Sequence, residues 1–399
     1  MPASHFCAKP RRVALLLLCL LACRAAGARD LDERCDRALH FARAQALKAL
    51  AEMGDTLAYP RSTTAEGRWR LVPATDWTSG FFPGLLWYLY EDSGDGVLLD
   101  AARRWTEGLE SQRNNPTTHD LGFMLFSSYG NGYRLLGEES YRQTLLIAAR
   151  TLASRFNPRV GCIKSWDWSQ EWECPVIIDN LMNLELLFWA ARNGGGERLR
   201  AIAVAHAERT LENHLRADGS TVHVVNYDST NGRVIARLTH QGLSASSTWA
   251  RGQAWALYGF AVCFRETRDA RFLEASVRAA RYFVDHLPAD GVPYWDFLAA
   301  DLPDTQKDAS AAAIAASGLL ELSQLAGEAG GAAYRSAAEH ILTTLSGPPY
   351  LDERSSTDGI LNHCVADRTR DIEVDVSLIY ADYYFVEAML RWRRIAGGR

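Results

Sequence analysis

Apolar positions recur at three- and four-residue spacing through almost the whole chain, the period of one face of an α-helix. In 31–53 the stripe is Leu39, Ala42, Ala46 and Leu50. The same period predicts helices over 78–91, 97–113, 119–136, 140–156, 175–192, 197–215, 248–266, 269–286, 308–326, 332–345 and 372–394, twelve segments in all. Two of them, 175–190 and 308–322, are apolar nearly all round, the mark of a helix with no solvent face. Alternation of period two is confined to 221–227 and 233–237, with turn residues from Ser229 to Gly232 between them, which predicts one β-hairpin inside a long connection. No Pro/Gly/Ser-rich linker divides the chain and no repeat motif is visible. Alternating short and long loops predict an all-α fold of antiparallel helix pairs closed into one ring, with an open helical solenoid as the competing arrangement. In a closed ring the long loops gather at one mouth, where a site can form.

The helix at 175–192 carries the first chemical signal. Asp179 and Asn180 interrupt Val176-Ile177-Ile178 and Leu181-Met182. A carboxylate there is either an N-cap or an acid whose apolar setting lifts its pKa toward neutrality. A second carboxylate, Asp120, opens another predicted helix in His119-Asp120-Leu121-Gly122-Phe123; if it faces Asp179, the two cannot both ionise easily. Trp77 and Phe81 share a helical face four apart in Asp76-Trp77-Thr78-Ser79-Gly80-Phe81-Phe82-Pro83-Gly84, where Gly80 and Gly84 permit close backbone approach. Arg251 and Trp255 are likewise four apart in Trp249-Ala250-Arg251-Gly252-Gln253-Ala254-Trp255, an anion-binding fork beside an indole that can stack on a sugar ring. The small-residue run after Asp308, with Pro293-Tyr294-Trp295-Asp296-Phe297, reads as mainly structural. Trp166, Trp168 and Trp172 crowd one loop, and His223, His240 and Gln241 add polar partners, so an anionic sugar is the ligand class these residues suit.

With 399 residues, 48% of them hydrophobic, the chain can bury a large core. Its net charge of −5 and the lack of any basic run exclude nucleic acid as an expected partner. Arg11 and Arg12 precede the apolar run Val13 to Ala22 and the small residues Ala25-Ala26-Gly27-Ala28, which predicts a cleaved export signal at 1–28 and a single domain over 29–399. The run is too short to anchor the mature protein, so no stable membrane association is expected. Lipoprotein processing at Cys23 is a lesser alternative. Cleavage removes four cations and no acid, taking the charge to −9. Cys162 and Cys174 bracket the Trp-rich loop and are expected to pair in an oxidising compartment. No Cys-x-x-Cys, His-Glu-x-x-His, Walker or dinucleotide motif is present, so neither a metal nor a cofactor is expected. Nothing in the sequence fixes an oligomeric state.

In their order along the chain, Trp77 to Gly84, His119 to Phe123, Ile178-Asp179-Asn180 and Trp249 to Trp255 resemble the unsaturated glucuronyl hydrolases, glycoside hydrolase family 88, over most of the chain from about Asp76. The resemblance implies an (α/α)6 barrel, with Asp179 as general acid/base and Asp120 as its partner. It implies substrate contacts at Trp77, Phe81, His223, Gln241, Arg251 and Trp255, the match at His223 resting on its hairpin position. The implied substrate is a small acidic oligosaccharide ending in a 4,5-unsaturated uronic acid. A proton goes to C4, water adds at C5, and the hemiketal rearranges to release the aglycone. An unsaturated rhamnogalacturonyl hydrolase, an inverting glycosidase on the same toroid and a non-catalytic sugar-binding helical protein are the alternatives.

Overall fold

The computed structural model describes residues 30–397 in full, save the side chains of 328–329; ahead of them only the backbone of 10–29 is described, so the leader expected at 1–28 falls partly outside the described residues and otherwise on backbone alone. Twelve α-helices follow one another among the described residues: α1 (Pro10–Met53), α2 (Phe81–Ser93), α3 (Gly96–Glu107), α4 (Asn131–Leu136), α5 (Glu139–Ala153), α6 (Asn180–Ala190), α7 (Glu197–Asn213), α8 (Ala250–Thr267), α9 (Ala270–Asp285), α10 (Ala309–Leu325), α11 (Gly327–Leu345) and α12 (Ile379–Gly397). A π-helical stretch, Gly122–Gly130, runs directly into α4.

The helices form two concentric layers. The inner ring passes from α2 to the π-helical stretch, then α6, α8, α10 and α12, and α12 packs back on α2. That last contact closes the ring and decides against an open solenoid. Outside, α3, α5, α7, α9 and α11 each back the inner helix before them, while α1 packs on α12. The layers differ as the hydrophobic pattern demands: α8 is buried continuously from Ala250 to Cys263 and α10 from Ala309 to Leu320, whereas α9 buries only Phe272, Ala275, Ser276, Ala279, Ala280, Tyr282 and Phe283. No described helix is long and apolar enough to cross a membrane.

Turns from inner to outer helices are minimal. Gly94 ends α2 and Gly137 ends α4 in the left-handed region, where glycine carries no Cβ penalty. The return connections are long and carry the strands: β1 (Tyr59–Thr63) with β2 (Trp69–Val72), β3 (Phe156–Asn157) with β4 (Cys162–Ile163), β5 (Cys174–Ile177) with β6 (Val224–Tyr227) and β7 (Val234–Leu238), and β8 (Cys364–Asp367) with β9 (Ile372–Val376), all antiparallel. The predicted hairpin is β6–β7, in register Val224 to Leu238. Two helix starts differ from expectation. Pro175–Ile177 adds to β6 as a third strand, because two β-branched residues after Pro175 fit a buried ladder better than a first helical turn. Ile372-Glu-Val-Asp-Val alternates with period two and forms β9, so the last helix begins at Ile379.

Cys162 and Cys174 are free, buried thiols, which corrects the expected pairing. They share a small apolar cluster with Val160, Val176, Val225 and Tyr227, yet each is fixed by its own ladder, Cys162 opposite Asn157 and Cys174 opposite Tyr227. Burial pushes both thiols up, Cys174 to about 11, and an uncharged thiol has no drive to exchange.

Candidate active site

The long connections all enter the inner ring at one end, so the residues at the starts of α2, α6, α8, α10 and α12 and of the π-helical stretch meet there. Helix N-termini carry partial positive charge, and several of them around one mouth favour an anionic ligand.

Asp179 immediately precedes α6 but makes no side-chain cap. The chain is held there by the β5–β6 ladder and by Ile178 N–H donating to the His223 carbonyl at 3.0 Å. The residue is 8% exposed and its Oδ2 has no hydrogen-bond partner. Burial lifts its pKa from 3.8 to about 7; the Arg251 charge opposes the rise, while the Asp120 charge adds to it. An N-cap would be ionised and satisfied, whereas this carboxyl keeps its proton to about pH 7 and leaves Oδ2 unpartnered.

Asp120 lies just ahead of the π-helical stretch. Its Oδ2 accepts from Thr118 Oγ1 at 3.0 Å, and its Oδ1 lies 3.2 Å from His119 Nε2. Gly122 makes this approach possible: a Cβ there would stand 2.6 Å from the Cα of Asn183 on α6. Close contact of the two helices brings the Asp120 charge within reach of Asp179.

His223 sits at the head of β6 with its Nε2 3.8 Å from Asp179 Oδ2. Backbone N–H groups of His240 and Gln241 both donate to its Nδ1, at 3.2 and 3.3 Å. A nitrogen that accepts two hydrogen bonds carries no proton, so the ring is neutral with its hydrogen on Nε2, aimed at the Asp179 side. Burial pushes its pKa well down in the same sense. The ring lies over Trp249, centroids 4.5 Å apart.

Arg251, in the first turn of α8, is 1% exposed. Its Nη1 meets Asp308 Oδ2 at 3.3 Å and donates to the Val365 carbonyl at 2.5 Å, and its Nη2 donates to the Ala366 carbonyl at 2.7 Å. The plane stacks on Trp249 and Tyr380, at 4.4 and 5.3 Å from their ring centroids, rather than on Trp255. Nε–H and one Nη2–H are left for a ligand. Gln241 Nε2 donates to the same Ala366 carbonyl at 3.0 Å. Trp255 is buried against Phe123 and Tyr384, and its indole N–H has no partner.

Above these residues opens a cavity of about 390 Å³, lined by Trp77, Gln241, Arg251 and Tyr380 below and by Trp166, Trp168, His240 and Arg370 at its rim. Trp77 and Tyr380 face each other at 5.2 Å, and Trp166 stacks on Trp172 at 5.9 Å. Phe81 does not reach this space, contrary to expectation. It is fully buried behind Trp77 and packs on Phe123, Tyr380, Tyr383 and Tyr384, so its part is to support the floor. Another cavity, about 430 Å³, lies toward the opposite ends of the inner helices. Its Arg265, Arg391 and Glu387 engage neighbouring side chains, and no predicted site residue lines it. Among the described residues no group of three His, Cys, Asp or Glu side chains is placed to hold a metal ion.

The roles of four residues escaped the sequence reading. Asp308 caps α10 through Ser310 N–H at 3.0 Å, the local signal that hides its second role against Arg251. Tyr380 lies within a predicted helix and has no distinguishing neighbour. Val365 and Ala366 contribute carbonyls alone, which no side-chain motif can announce.

A profile of Glycosyl Hydrolase Family 88 matches residues 54–392. The chain is 43% identical over 326 residues to an unsaturated glucuronyl hydrolase of Formosa agariphila, covering 80% of each. It superposes with a TM-score of 0.88 on a solved unsaturated glucuronyl hydrolase specific for heparin, at 44% identity over 91% of this chain and 98% of that one. A variant of the Streptococcus agalactiae unsaturated glucuronyl hydrolase, solved with dGlcA-GalNAc6S, matches with a TM-score of 0.77 at 28% identity, covering 90% of this chain and 91% of that one.

Proposed function

The chain belongs to Glycosyl Hydrolase Family 88, and from that premise we propose that it removes a 4,5-unsaturated uronic acid from the non-reducing end of an oligosaccharide by hydrating the C4=C5 bond. The observation that carries the reading is Asp179: buried, with one oxygen unpartnered, and holding its proton to about pH 7. The enol ether takes that proton at C4, and positive charge develops at C5 and the ring oxygen. Water bonds to C5 and returns a proton to the Asp179 carboxylate, so one residue serves as acid and then base. The hemiketal then rearranges, the ring opens and the aglycone leaves, with one water consumed.

The remaining groups fit that sequence. Arg251 offers its free N–H groups to the uronate carboxylate. His223, neutral and with hydrogen only on Nε2, supplies a donor for the incoming water or a substrate hydroxyl, not a base. Trp77 and Tyr380 provide ring faces for the unsaturated sugar, and Trp166 and Trp168 at the rim provide them for the sugar that follows. An inverting glycosidase instead works two carboxylates across the anomeric bond, roughly 6.5–9.5 Å apart, with a water between them. Here the second carboxylate is already held by Thr118 and faces His119. We further propose that the protein is exported, on the strength of the charge and apolar pattern that predicts a leader at 1–28.

The test is incubation of purified protein with unsaturated disaccharides derived from chondroitin, hyaluronan, heparin and pectin. The ultraviolet band of the conjugated uronate disappears on hydration. Release of the second sugar with that band intact would mean ordinary glycosidic cleavage, and preference for the pectin product would favour an unsaturated rhamnogalacturonyl hydrolase.

A further inference from the structure

His119 is buried to 1% and has no part in the steps above. Its Nδ1 lies 2.8 Å from the carbonyl oxygen of Ser165. A carbonyl only accepts, so Nδ1 carries hydrogen. Nε2 has no hydrogen-bond partner among the described residues and faces Asp120 Oδ1 at 3.2 Å. Two lone pairs at that separation in a water-poor pocket repel each other, and a proton between them removes the repulsion.

We propose that His119 is a positioning residue that shares one proton with Asp120, so that the pair faces Asp179 without net charge and Ser165 aims it from the Trp-rich loop. This rests on the hydration reading and deepens it. Asp120 is the charge beside the ring on its own segment, while Arg155 and Asp167 face it from α5's end and the loop, paired with each other at 2.7 Å. Behind it stands His206, whose Nδ1 accepts from Ile163 N–H at 3.0 Å. Burial outweighs the Asp120 charge and pushes the His119 pKa down, so an imidazolium standing alone is disfavoured, and the 3.2 Å approach of Nε2 to Asp120 Oδ1 leaves a proton held between the two groups.

The consequence falls on Asp179. Beside a neutral pair it can release its proton to carbon. Beside a bare Asp120 carboxylate its own ionisation is opposed, and the proton is held too tightly to be given up.

Two amides separate this role from a structural one. The Asn amide reaches where Nδ1 stands, and the Gln amide reaches where Nε2 stands. His119→Asn keeps the Ser165 bond and loses the donor to Asp120. It is expected to lower kcat by about 10- to 100-fold, the worth of one hydrogen bond to a charged group, with KM little changed and the alkaline limb of kcat moved to higher pH. His119→Gln restores a donor but brings no proton, so Asp120 stays charged: kcat is expected to recover in part, while the alkaline limb stays at higher pH. The opposite order, with losses that track thermal stability and an unmoved pH profile, overturns the proposal. A second readout needs no substrate: in 15N-histidine-labelled protein the His119 Nε2 resonance should move on Asp120→Asn, and a resonance unchanged from a free lone pair overturns the shared proton. That measurement decides the pair even where the wild-type protein leaves the uronate band untouched, an outcome that would overturn the proposed function instead.

Discussion

Arg251 and Asp308 meet at 3.3 Å across 57 residues of sequence, with side chains 2% and 0% exposed. Such a pair is costly to bury unless further hydrogen bonds surround it. Asp308 also accepts from Ser310 N–H and Val365 N–H, and Arg251 holds the Val365 and Ala366 carbonyls, so β8, α8 and α10 are locked at one point. Removing one partner leaves a buried charge alone. Asp308→Ala is expected to destabilise the fold by about 3–5 kcal/mol, read by denaturant unfolding. Arg251→Ala is expected to act on KM for the carboxylated sugar more than on kcat. An unchanged KM would take the guanidinium out of substrate binding.

Gly80 shows how closely the helix starts are packed. A Cβ there would lie 2.1 Å from the Met124 carbonyl oxygen and 2.3 Å from that of Phe123, both backbone atoms that cannot swing aside. Gly80→Ala therefore has to push α2 off the π-helical stretch that follows Asp120. It is expected to destabilise by about 1–3 kcal/mol, the range for overpacking, and to lower activity beyond what the stability loss alone gives. Calorimetry beside a kcat measurement checks both. An Ala variant indistinguishable from wild type would mean the contact relaxes freely.

The five described thiols, Cys35, Cys162, Cys174, Cys263 and Cys364, are all buried and free. Burial raises each of them, Cys35 to about 12 and Cys174 to about 11, and a thiol reagent attacks only the exposed thiolate. In the chain lacking residues 1–28, none is expected to react with an aromatic disulfide reagent in the native state, and all five in denaturant without prior reduction. Three reactive thiols after unfolding would restore the Cys162–Cys174 pair.

What the chain discloses about itself depends on whether a relationship is local. The helices follow from three- and four-residue spacing, a pattern each segment carries whole. Strand β5 is hidden because Val176 and Ile177 are separated from the apolar run of α6 by no polar residue but Asp179 and Asn180, and only pairing with Val224 and Val225 tells them apart from it. Trp77 and Phe81 share a face by spacing, but spacing gives direction and not depth, and one ring lines the cavity while the other lies beneath it. The neutrality of His223 depends on backbone groups 17 and 18 residues away. No short motif encodes such a contact. Asp179 could be singled out because an acid among aliphatic residues is costly wherever the chain takes it.

That cost gives Asp179 a stability signature of its own. Its pKa rises from 3.8 to about 7 on folding, so between those values the folded state binds more proton than the unfolded one. Stability from this group is fully present below about pH 4 and declines as pH rises through about 7. Three units correspond to a loss on the order of 4 kcal/mol. Asp382 also rises to about 7 and adds to the same slope, with backbone N–H groups of Ile360 and Leu361 opposing its rise. Asp179→Asn removes one of the two contributions. Its stability relative to wild type is expected to improve steadily from pH 4 to pH 8 while turnover is abolished at every pH. Wild-type kcat is expected to fall above about pH 7, where the acid has lost its proton before substrate arrives. Urea unfolding of both proteins at a series of pH values, beside the kcat profile, tests the two together. A stability difference that does not change with pH would mean that Asp179 is ionised throughout, and an ionised Asp179 has no proton to place on C4.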